Sequence, residues 1–342
     1  MGKTLVVREF GSFVGKKGAR LVIRGKDRRN ELPAEEVECL ILAGRGVSIS
    51  TDALQLLMKR GIPVFFSDGM GNPLGAVLSA FSTGSASTRR EQYLSLMDER
   101  GIELAKSFVM GKVLNQAYLM LRFARSRRRT NKELADQLES GASLIKGLAE
   151  SISSFRSNGL NFSSRAELMA LESRAATIYW EMFSALLPKG FEFPGRVTRG
   201  AEDEVNSMLN LGYWYLRTRV LPAIYFAGLD PYAGYLHVDR AGRPSLVLDL
   251  MEEFRPQVVD RAVISLVSKR VLKPGEVLSD EEFSDKAIRA ILGALEERLE
   301  AKCFPLGWRQ RPRLKTAIRL QARRIVSHIL RREKYRPFIL RE

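Results

Sequence analysis

The chain has 342 residues and a net charge of +16, which favours a polyanionic partner over a merely solvated basic surface. Its two cysteines, Cys39 and Cys303, are too few for a disulfide framework or a zinc cluster. Because no apolar run reaches about 18 residues and the N-terminus lacks the build of a secretion signal, we expect a cytoplasmic protein and exclude a membrane-spanning one.

Short β-branched runs separated by turn residues predict strands in the N-terminal part of the chain. Ser50 offers an N-cap oxygen and Gly61 offers a stop, so a short helix is expected between them. The expected strands cover residues 5–7, 21–23, 38–42, 62–66 and 75–81, and the expected turns cover residues 15–18 and 68–73.

From residue 88 onward the pattern changes to helices joined by short breaks. Small residues at 82–87 indicate a linker, and Thr88 and Glu91 have the spacing of a capping box at a helix start. The sequence therefore predicts an α+β fold, with a small β-rich domain over residues 1–87 and a larger all-helical domain over residues 88–342. The expected breaks lie at residues 126–130, 188–199, 228–243, 273–276 and 304–312.

The most informative chemical signal surrounds His237, one of only two histidines. A helix is predicted to start near Ser245, and it carries Asp249 and Glu252 three residues apart, on one face. Imidazole and carboxylate groups are ligands that divalent metals prefer. In a strongly basic chain, such a metal site indicates phosphodiester chemistry on a nucleic acid. The alternative is that the acids only favour a positive helix N-terminus and that the histidine is structural.

Glu172 lies beside a predicted buried face of another helix. A carboxylate among apolar neighbours is costly unless it is paired or bound to a metal. An ion pair with an arginine from a different helix and metal binding explain Glu172 equally well. The residues that form the predicted buried face are Leu168, Leu171, Ala175, Ile178 and Met182.

Two clusters of cations predict contacts with phosphates of a duplex, which position nucleic acid without reading its sequence. Residues 309–342 hold twelve Lys and Arg against two Glu, a surplus of ten. In the last predicted helix, an apolar stripe that includes Leu314 and Ile325 leaves the cations on other faces. His328 in that helix is interpreted as structural or as a contact to the DNA backbone. The predicted DNA-binding residues are Arg122, Arg125, Arg127, Arg128, Arg129, Lys315, Arg319, Arg323, Arg324 and Arg331.

Several motifs taken together resemble the CRISPR-associated integrase Cas1, the family that inserts new spacers. No single motif is specific, but the combination extends across the chain. The motifs are Gly234-Tyr235-Leu236-His237, Asp249-Leu250-Met251-Glu252-Glu253-Phe254-Arg255-Pro256, Leu171-Glu172-Ser173, Gly212-Tyr213 and Gly111-Lys112-x-x-Asn115-Gln116.

The resemblance implies an N-terminal β domain that mainly forms a homodimer, and a C-terminal helical domain that holds the metal. It implies Mg²⁺ or Mn²⁺ bound by Glu172, His237 and Glu252, with Asp249 beside them as a fourth catalytic residue. It also implies double-stranded DNA as substrate, both as incoming fragment and as CRISPR repeat, and a Cas2 dimer that bridges two integrase dimers.

The implied reaction is transesterification, in which the 3′-hydroxyl ends of a captured DNA fragment are joined to a CRISPR repeat. With water as the nucleophile, the same site is expected to act as an endonuclease. Two alternatives stay open at this point: a metal-dependent nuclease of branched or repair DNA intermediates, and a non-catalytic DNA-binding scaffold.

Overall fold

In a computed structural model, the structure describes residues 3–26, 28–67, 73–77, 79, 86–157, 159–198, 200–279 and 282–341. Strands dominate the N-terminal part and helices dominate the remainder, which confirms the predicted α+β fold. None of the helices that the structure describes combines the length and apolarity needed to span a bilayer.

The elements of the N-terminal part are β1 (Lys3–Val7), β2 (Phe13–Lys17), β3 (Arg20–Arg24), β4 (Arg29–Pro33), a 3₁₀ turn (Ala34–Glu36), β5 (Val37–Ala43), β6 (Ser48–Ile49), α1 (Thr51–Lys59), β7 (Val64–Ser67) and β8 (Pro73–Val77). The strands form two four-stranded sheets, in the orders β1-β5-β7-β8 and β4-β3-β2-β6. The first sheet is parallel from β1 to β7 and antiparallel between β7 and β8.

The central strand β5 is buried on both faces, because successive side chains of a strand point in opposite directions. Leu40 and Leu42 join a small core with the buried residues of β3 and α1. Cys39 and Ile41 pack instead into the large core of the helical part. The first sheet therefore lies between the two cores and attaches the N-terminal part to the helices.

The predicted N-terminal strands correspond to β1, β3, β5, β7 and β8, and the predicted helix to α1, whose N-cap is Ser50. The turn predicted at residues 15–18 is present but begins later: β2 continues through Lys17, and the chain turns at Gly18 with φ +57°. Strands β4 and β6 were not expected, because β4 is mostly polar and β6 has only two residues.

Residues 68–72 of the other predicted turn lie outside the described residues, as do residues 82–85 of the predicted linker. The capping box at Thr88 is wrong, because α2 already begins at Ala86 and Thr88 lies within it. Side-chain spacing alone does not distinguish the N-cap of a helix from a position two or three residues inside its first turn.

The described residues of the helical part also include a short pair of antiparallel strands, which departs from the predicted all-helical domain. The predicted breaks coincide with the connections between its elements. These are α2 (Ala86–Ser95), α3 (Glu99–Arg127), α4 (Lys132–Ser154), α5 (Phe162–Ala185), α6 (Glu204–Phe226), α7 (Ser245–Glu252), a π-helical turn (Pro256–Asp260), α8 (Arg261–Ser268), β9 (Leu278–Ser279), β10 (Glu282–Phe283), α9 (Asp285–Glu300) and α10 (Leu314–Ile329).

The long helix α3 organises this part, since it packs against α4, α5 and α7. Its start is fixed by Asp98, whose carboxylate accepts the backbone N–H of Arg100 at 2.9 Å. Helix α5 begins with a capping box between Asn161 and Ser164. The packing of α3 between α5 and α7 places one face of each helix toward the same partly enclosed position.

Pro256 lacks the N–H that would continue the hydrogen-bond ladder of α7. The chain nevertheless stays helical there, through the π-helical turn whose five residues are all buried. Phe254, just before this turn, stacks on Phe338 of the C-terminal tail with ring centroids 4.6 Å apart. The C-terminal tail therefore packs against the segment that follows Glu252 and fixes its position.

Candidate active site

Asp249 holds the loop that carries His237. Its fully buried carboxylate accepts the backbone N–H groups of Tyr235, Leu236 and His237, at 2.6, 3.0 and 3.0 Å. The same carboxylate lies 2.6 Å from Nδ1 of the His237 ring. Because Nδ1 is engaged, Nε2 is the ring nitrogen left for a metal.

The explanation that these acids merely favour a helix N-terminus is wrong. Asp249 is the fifth residue of α7 and Glu252 is its last, so neither lies in the first turn. A negative charge at the end of a helix is unfavourable by itself. Other groups must therefore stabilise Glu252.

Glu252 is stabilised by two cations from different elements. Lys112 on α3 places Nζ 2.7 Å from Oε2 of Glu252 and 2.5 Å from Oε1 of Glu172. Arg255 places Nη1 2.8 Å from the other oxygen of Glu252, Oε1. Glu172 and Glu252, which are 80 positions apart in the sequence, thus face each other across one ammonium group. The counter-ion expected for Glu172 is present, but it is a lysine and not an arginine.

Glu252 and Lys112 both carry their charge at neutral pH. Burial opposes ionisation of Glu252, but Arg255, Lys112 and then His237 outweigh it and lower the pKa of Glu252 to about 2. Burial likewise opposes the charge of Lys112, yet Glu252 and Glu172 raise its pKa above the ordinary value. Oε2 of Glu252 accepts no hydrogen bond of good geometry, so its contact with Lys112 is an ion pair.

Arg255 is held by a second buried network behind the carboxylates. Its guanidinium lies 4.9 Å from the ring centroid of Tyr213, in a cation–π contact. The hydroxyls of Tyr213 and Tyr179 each donate a hydrogen bond of 2.6 Å to Asp260. Burial raises the pKa of Asp260 to about 6, although both hydrogen bonds oppose that change.

The donor set fits a hard divalent cation in type, since it combines carboxylates with an imidazole. Among the described residues, no three His, Cys, Asp or Glu side chains converge on one metal position as they stand. Glu172 and Glu252 nonetheless each turn an oxygen toward one cation, which defines a cation position between them. A metal at that position would replace the ammonium group of Lys112.

A model of the family described as CRISPR associated protein Cas1 matches residues 5–297. The CRISPR-associated endonuclease Cas1 1 of Archaeoglobus fulgidus is 37% identical over 346 residues, covering 98% of this chain and 99% of that protein. The chain belongs to the CRISPR-associated Cas1 family.

Two solved structures share its fold. A casposase bound to integration product has a TM-score of 0.79 and 24% identity, over 98% of this chain and 93% of that chain. A Cas6-RT-Cas1–Cas2 complex has a TM-score of 0.78 and 21% identity, over 98% of this chain and 36% of that chain. These likenesses establish the Cas1 fold of the molecule, and its family membership stands on the sequence matches.

The first predicted DNA-binding cluster of this Cas1 family member lies at the end of α3. Arg125 lines an open cleft of about 380 Å³ together with Arg341 and Lys146, whose ammonium lies over the Tyr118 ring. Arg128 pairs with two acids of α4, Asp136 and Glu139, and Arg127 donates a hydrogen bond to Ser268. Arg122 and Arg129 lie in the same segment.

Four cations of the second cluster have partners within the chain. Arg331 pairs with Glu99 at 2.7 Å, and Arg324 lies 3.9 Å from the ring centroid of Trp308. Lys315 pairs with Glu300, and Arg319 pairs with Glu38 of β5. Arg323 is exposed on α10. For both clusters, contact with DNA stays a prediction.

His328 is structural. It is buried, its Nε2 donates to the carbonyl oxygen of Arg100 at 3.1 Å, and its Nδ1 accepts the backbone N–H of Tyr335 at 3.2 Å. Burial lowers the pKa of its imidazole, which keeps the ring neutral. The apolar stripe predicted for α10, with Leu314, Ile318, Ile325 and Ile329, is buried as expected.

The residues of the site that sequence reasoning gave no role are Lys112, Arg255, Tyr213 and Asp260. The pairing of Arg255 with Glu252 could be predicted from the sequence, since Arg255 follows Glu252 by three residues and such helical neighbours pair. Lys112 had no comparable signal, because its partners lie 60 and 140 positions away.

Proposed function

We propose that this chain is a metal-dependent DNA integrase and endonuclease that acts in CRISPR spacer acquisition. Membership of the Cas1 family supports the proposal, as does the relative of Archaeoglobus fulgidus, which is named an endonuclease. The observation that carries it is the cation position shared by Glu172 and Glu252, from two separate helices, together with an imidazole fixed by Asp249, which stands three residues before Glu252 on α7.

In the proposed reaction, the 3′-hydroxyl of an incoming DNA fragment attacks a phosphodiester of the CRISPR repeat in line. The new ester joins fragment and repeat, and the displaced 3′-oxygen leaves as the hydroxyl end of the repeat strand. When water attacks instead, the strand is hydrolysed.

Glu172, His237 and Glu252 would hold the Mg²⁺ or Mn²⁺. The bound ion supplies charge that stabilises the phosphate in the transition state and favours the deprotonated nucleophile. The lowered pKa of Glu252 keeps this carboxylate ionised at neutral pH. Asp249 orients the imidazole and fixes its tautomer, which is the usual role of a carboxylate that is hydrogen-bonded to a histidine ligand.

Arg255 provides a permanent positive charge beside the site, because its guanidinium is packed against Tyr213 and paired with Glu252. A fixed guanidinium near a reacting phosphate favours the anionic transition state. The cations around the cleft at Arg125 and those of α10 would position the duplex backbone.

The proposed partners are double-stranded DNA, a second copy of the chain and a Cas2 dimer. The solved structures support an assembly, since one similar chain belongs to a Cas6-RT-Cas1–Cas2 complex and another is a casposase bound to integration product. Phe10 and Leu74, large apolar residues of the N-terminal part, are 78% and 72% exposed, which fits a homodimer formed through that part.

Strand transfer with an oligonucleotide fragment and a repeat duplex, in the presence of Mn²⁺, tests this function. Glu172→Ala, His237→Ala and Glu252→Ala are each expected to abolish product while the protein stays folded and still binds DNA. Glu167→Ala, which removes an exposed carboxylate from the same helix as Glu172, is the matched control and is expected to keep activity. Full activity in any of the three ligand variants would contradict the assignment.

The nature of the nucleophile separates integration from simple hydrolysis. A fragment whose 3′-hydroxyl is blocked is expected to give no joined product, while hydrolytic nicking of the repeat continues. A protein that only cleaves repair intermediates would be indifferent to the block. A DNA-binding scaffold would give neither product at any Mn²⁺ concentration.

A further inference from the structure

Lys112 has an unusual position for a lysine. Its ammonium group lies between the two carboxylates proposed to hold a metal, 2.5 Å from Glu172 and 2.7 Å from Glu252. Its side chain is only 15% exposed, although lysine is rarely buried unless it is paired. The contact joins α3 to α5 and α7 at one point.

We propose that Lys112 is an internal counter-ion, which occupies the cation position when no metal is bound and leaves it when a divalent ion enters. The inference rests on the proposed function, because it assigns the same carboxylates to the metal. It adds a competition: the metal and the ammonium group exclude each other between Glu172 and Glu252.

The charges of the site require such a counter-ion. Two carboxylates that approach one another in a partly buried position repel unless a cation lies between them. Arg255 forms its described ion pair with Oε1 of Glu252 and not with Glu172. Within the described ion pairs, Lys112 is the cation that contacts both acids, so its charge offsets their repulsion in the metal-free site.

The chemistry of the two cations assigns them different behaviour. Arg255 is held by its ion pair with Glu252 and by its contact with the Tyr213 ring, and its backbone belongs to a helical turn. Lys112 makes its ion pairs through one point charge on a flexible four-carbon chain. It can withdraw along α3 toward water without disturbing the helix, whereas Arg255 cannot move without losing its stacking contact.

Mn²⁺ binding to the full chain, measured by isothermal titration calorimetry, tests the competition. Lys112→Met removes the charge and keeps the length of the side chain, so it is expected to tighten Mn²⁺ binding by about tenfold or more. In EDTA, the same variant is expected to unfold at a lower temperature than the wild type, because the two carboxylates lose their counter-ion. Added Mn²⁺ is expected to raise its unfolding temperature by more than it raises that of the wild type.

Lys106→Met is the matched control. Lys106 stands on the same helix and is also partly buried, but it donates only to the backbone carbonyls of Ser153 and Phe155. Its replacement is expected to leave the affinity for Mn²⁺ at the wild-type value. Lys112→Gln, a smaller polar change, provides the same comparison if the methionine variant does not fold.

The outcomes separate this inference from the function on which it depends. Equal or weaker Mn²⁺ binding by Lys112→Met or Lys112→Gln, with normal binding by the wild type, would overturn the counter-ion role and leave the proposed metal site intact. No Mn²⁺ binding by either the wild type or the variants would overturn both. Tighter binding in the neutral variants and not in Lys106→Met supports the inference.

Discussion

The ring nitrogen Nδ1 of His237 and the backbone N–H of the same residue both contact one oxygen of Asp249, at 2.6 and 3.0 Å. A single buried carboxylate therefore fixes the orientation of the imidazole and the position of the chain that carries it. The histidine cannot rotate without breaking the first of these contacts. Its readiness to bind a metal depends on a residue that need not touch the metal itself.

Replacing Asp249 by asparagine is expected to weaken Mn²⁺ binding by about 10- to 100-fold. The amide would place an NH₂ donor among groups that already donate, so the loop loses acceptors and the ring loses its fixed orientation. Isothermal titration with Mn²⁺ measures the affinity, and thermal unfolding in EDTA measures the expected loss of stability. Asp239→Asn is the control, because Asp239 is exposed and accepts only a long 3.3 Å hydrogen bond from Gly234. An unchanged affinity in Asp249→Asn would contradict the positioning role.

The two proposed ligand glutamates are expected to differ in their contribution to the metal-free fold. Glu252 is 3% exposed and pairs with two cations, so Glu252→Gln leaves both facing a neutral amide and is expected to cost about 3–5 kcal/mol. Glu172 is 20% exposed, and in Glu172→Gln the lysine retains its other partner, so the cost is expected to be clearly smaller. Urea unfolding in EDTA gives both free energies. Equal losses would show that burial does not determine the strength of these ion pairs.

Asp260 is expected to make stability depend on pH in a defined window. Its pKa is raised from 3.8 to about 6 in the folded chain, so between these values the folded state holds a proton that the unfolded state has released. Stability from this group is therefore full below about pH 3.8 and is lost as the pH rises through about 6. Relative to the wild type, Asp260→Asn should gain up to about 3 kcal/mol between pH 4 and pH 7.

Urea unfolding of the wild type and Asp260→Asn at a series of pH values measures this difference. The asparagine can still accept from one tyrosine and donate to the other, so the comparison isolates the titration. Glu252 acts in the opposite direction, since its lowered pKa removes stability as the pH falls from 4.5 toward about 2. A difference between the two proteins that stays constant from pH 4 to pH 7 would contradict the assignment to Asp260.

Two arginines of α10 are expected to separate DNA binding from structure. Arg323 is exposed, so Arg323→Ala should weaken DNA binding and reduce the salt slope by about one, without a change in unfolding temperature. Arg319 pairs with Glu38 of β5, whose side chain is 17% exposed, so Arg319→Ala should also lower the unfolding temperature. Fluorescence anisotropy at several salt concentrations, with thermal unfolding in parallel, checks both. A destabilised Arg323→Ala with normal DNA affinity would reverse the interpretation.

The fold was predictable where local patterns are strong. The N-cap at Ser50 and the apolar stripe of α10 are present as expected. Of the face predicted for α5, Leu168, Ala175 and Met182 are buried, whereas Leu171 and Ile178 are only partly buried. The predicted start of the turn at residue 15 is too early. Two glycines and two lysines indicate a turn locally, whereas pairing of β2 with β3 keeps the chain extended as far as Lys17. Pairing between strands is a property of the sheet and is not visible in a short window.

The same distinction between local spacing and long-range packing applies to the candidate site. Spacing within one segment linked His237 to Asp249 and placed Asp249 and Glu252 on one face, and the structure brings these residues together. The link from Glu172 to Glu252 passes through Lys112 on a third helix, and packing of distant helices has no signature in residue spacing. The cations illustrate the same limit, because sequence reports a charge such as Arg331 without reporting its partner Glu99.

The C-terminal tail is expected to support the site, although none of its described residues, up to residue 341, makes a described contact with the carboxylates of Glu172 and Glu252. Phe338 stacks on Phe254, and its backbone N–H donates to Glu253 at 3.0 Å, directly beside Glu252. Phe338→Ala removes a fully buried ring and is expected to cost about 3–5 kcal/mol.

Because the lost contact lies against the segment that carries Glu252, Mn²⁺ affinity should fall together with stability in Phe338→Ala. Phe304→Ala is the control, since that ring is 53% exposed, and it should leave both quantities near the wild-type values. Urea unfolding and Mn²⁺ titration of the three proteins measure the two effects. A Phe338→Ala protein that loses stability but binds Mn²⁺ as the wild type does would show that the tail supports the core and not the metal site.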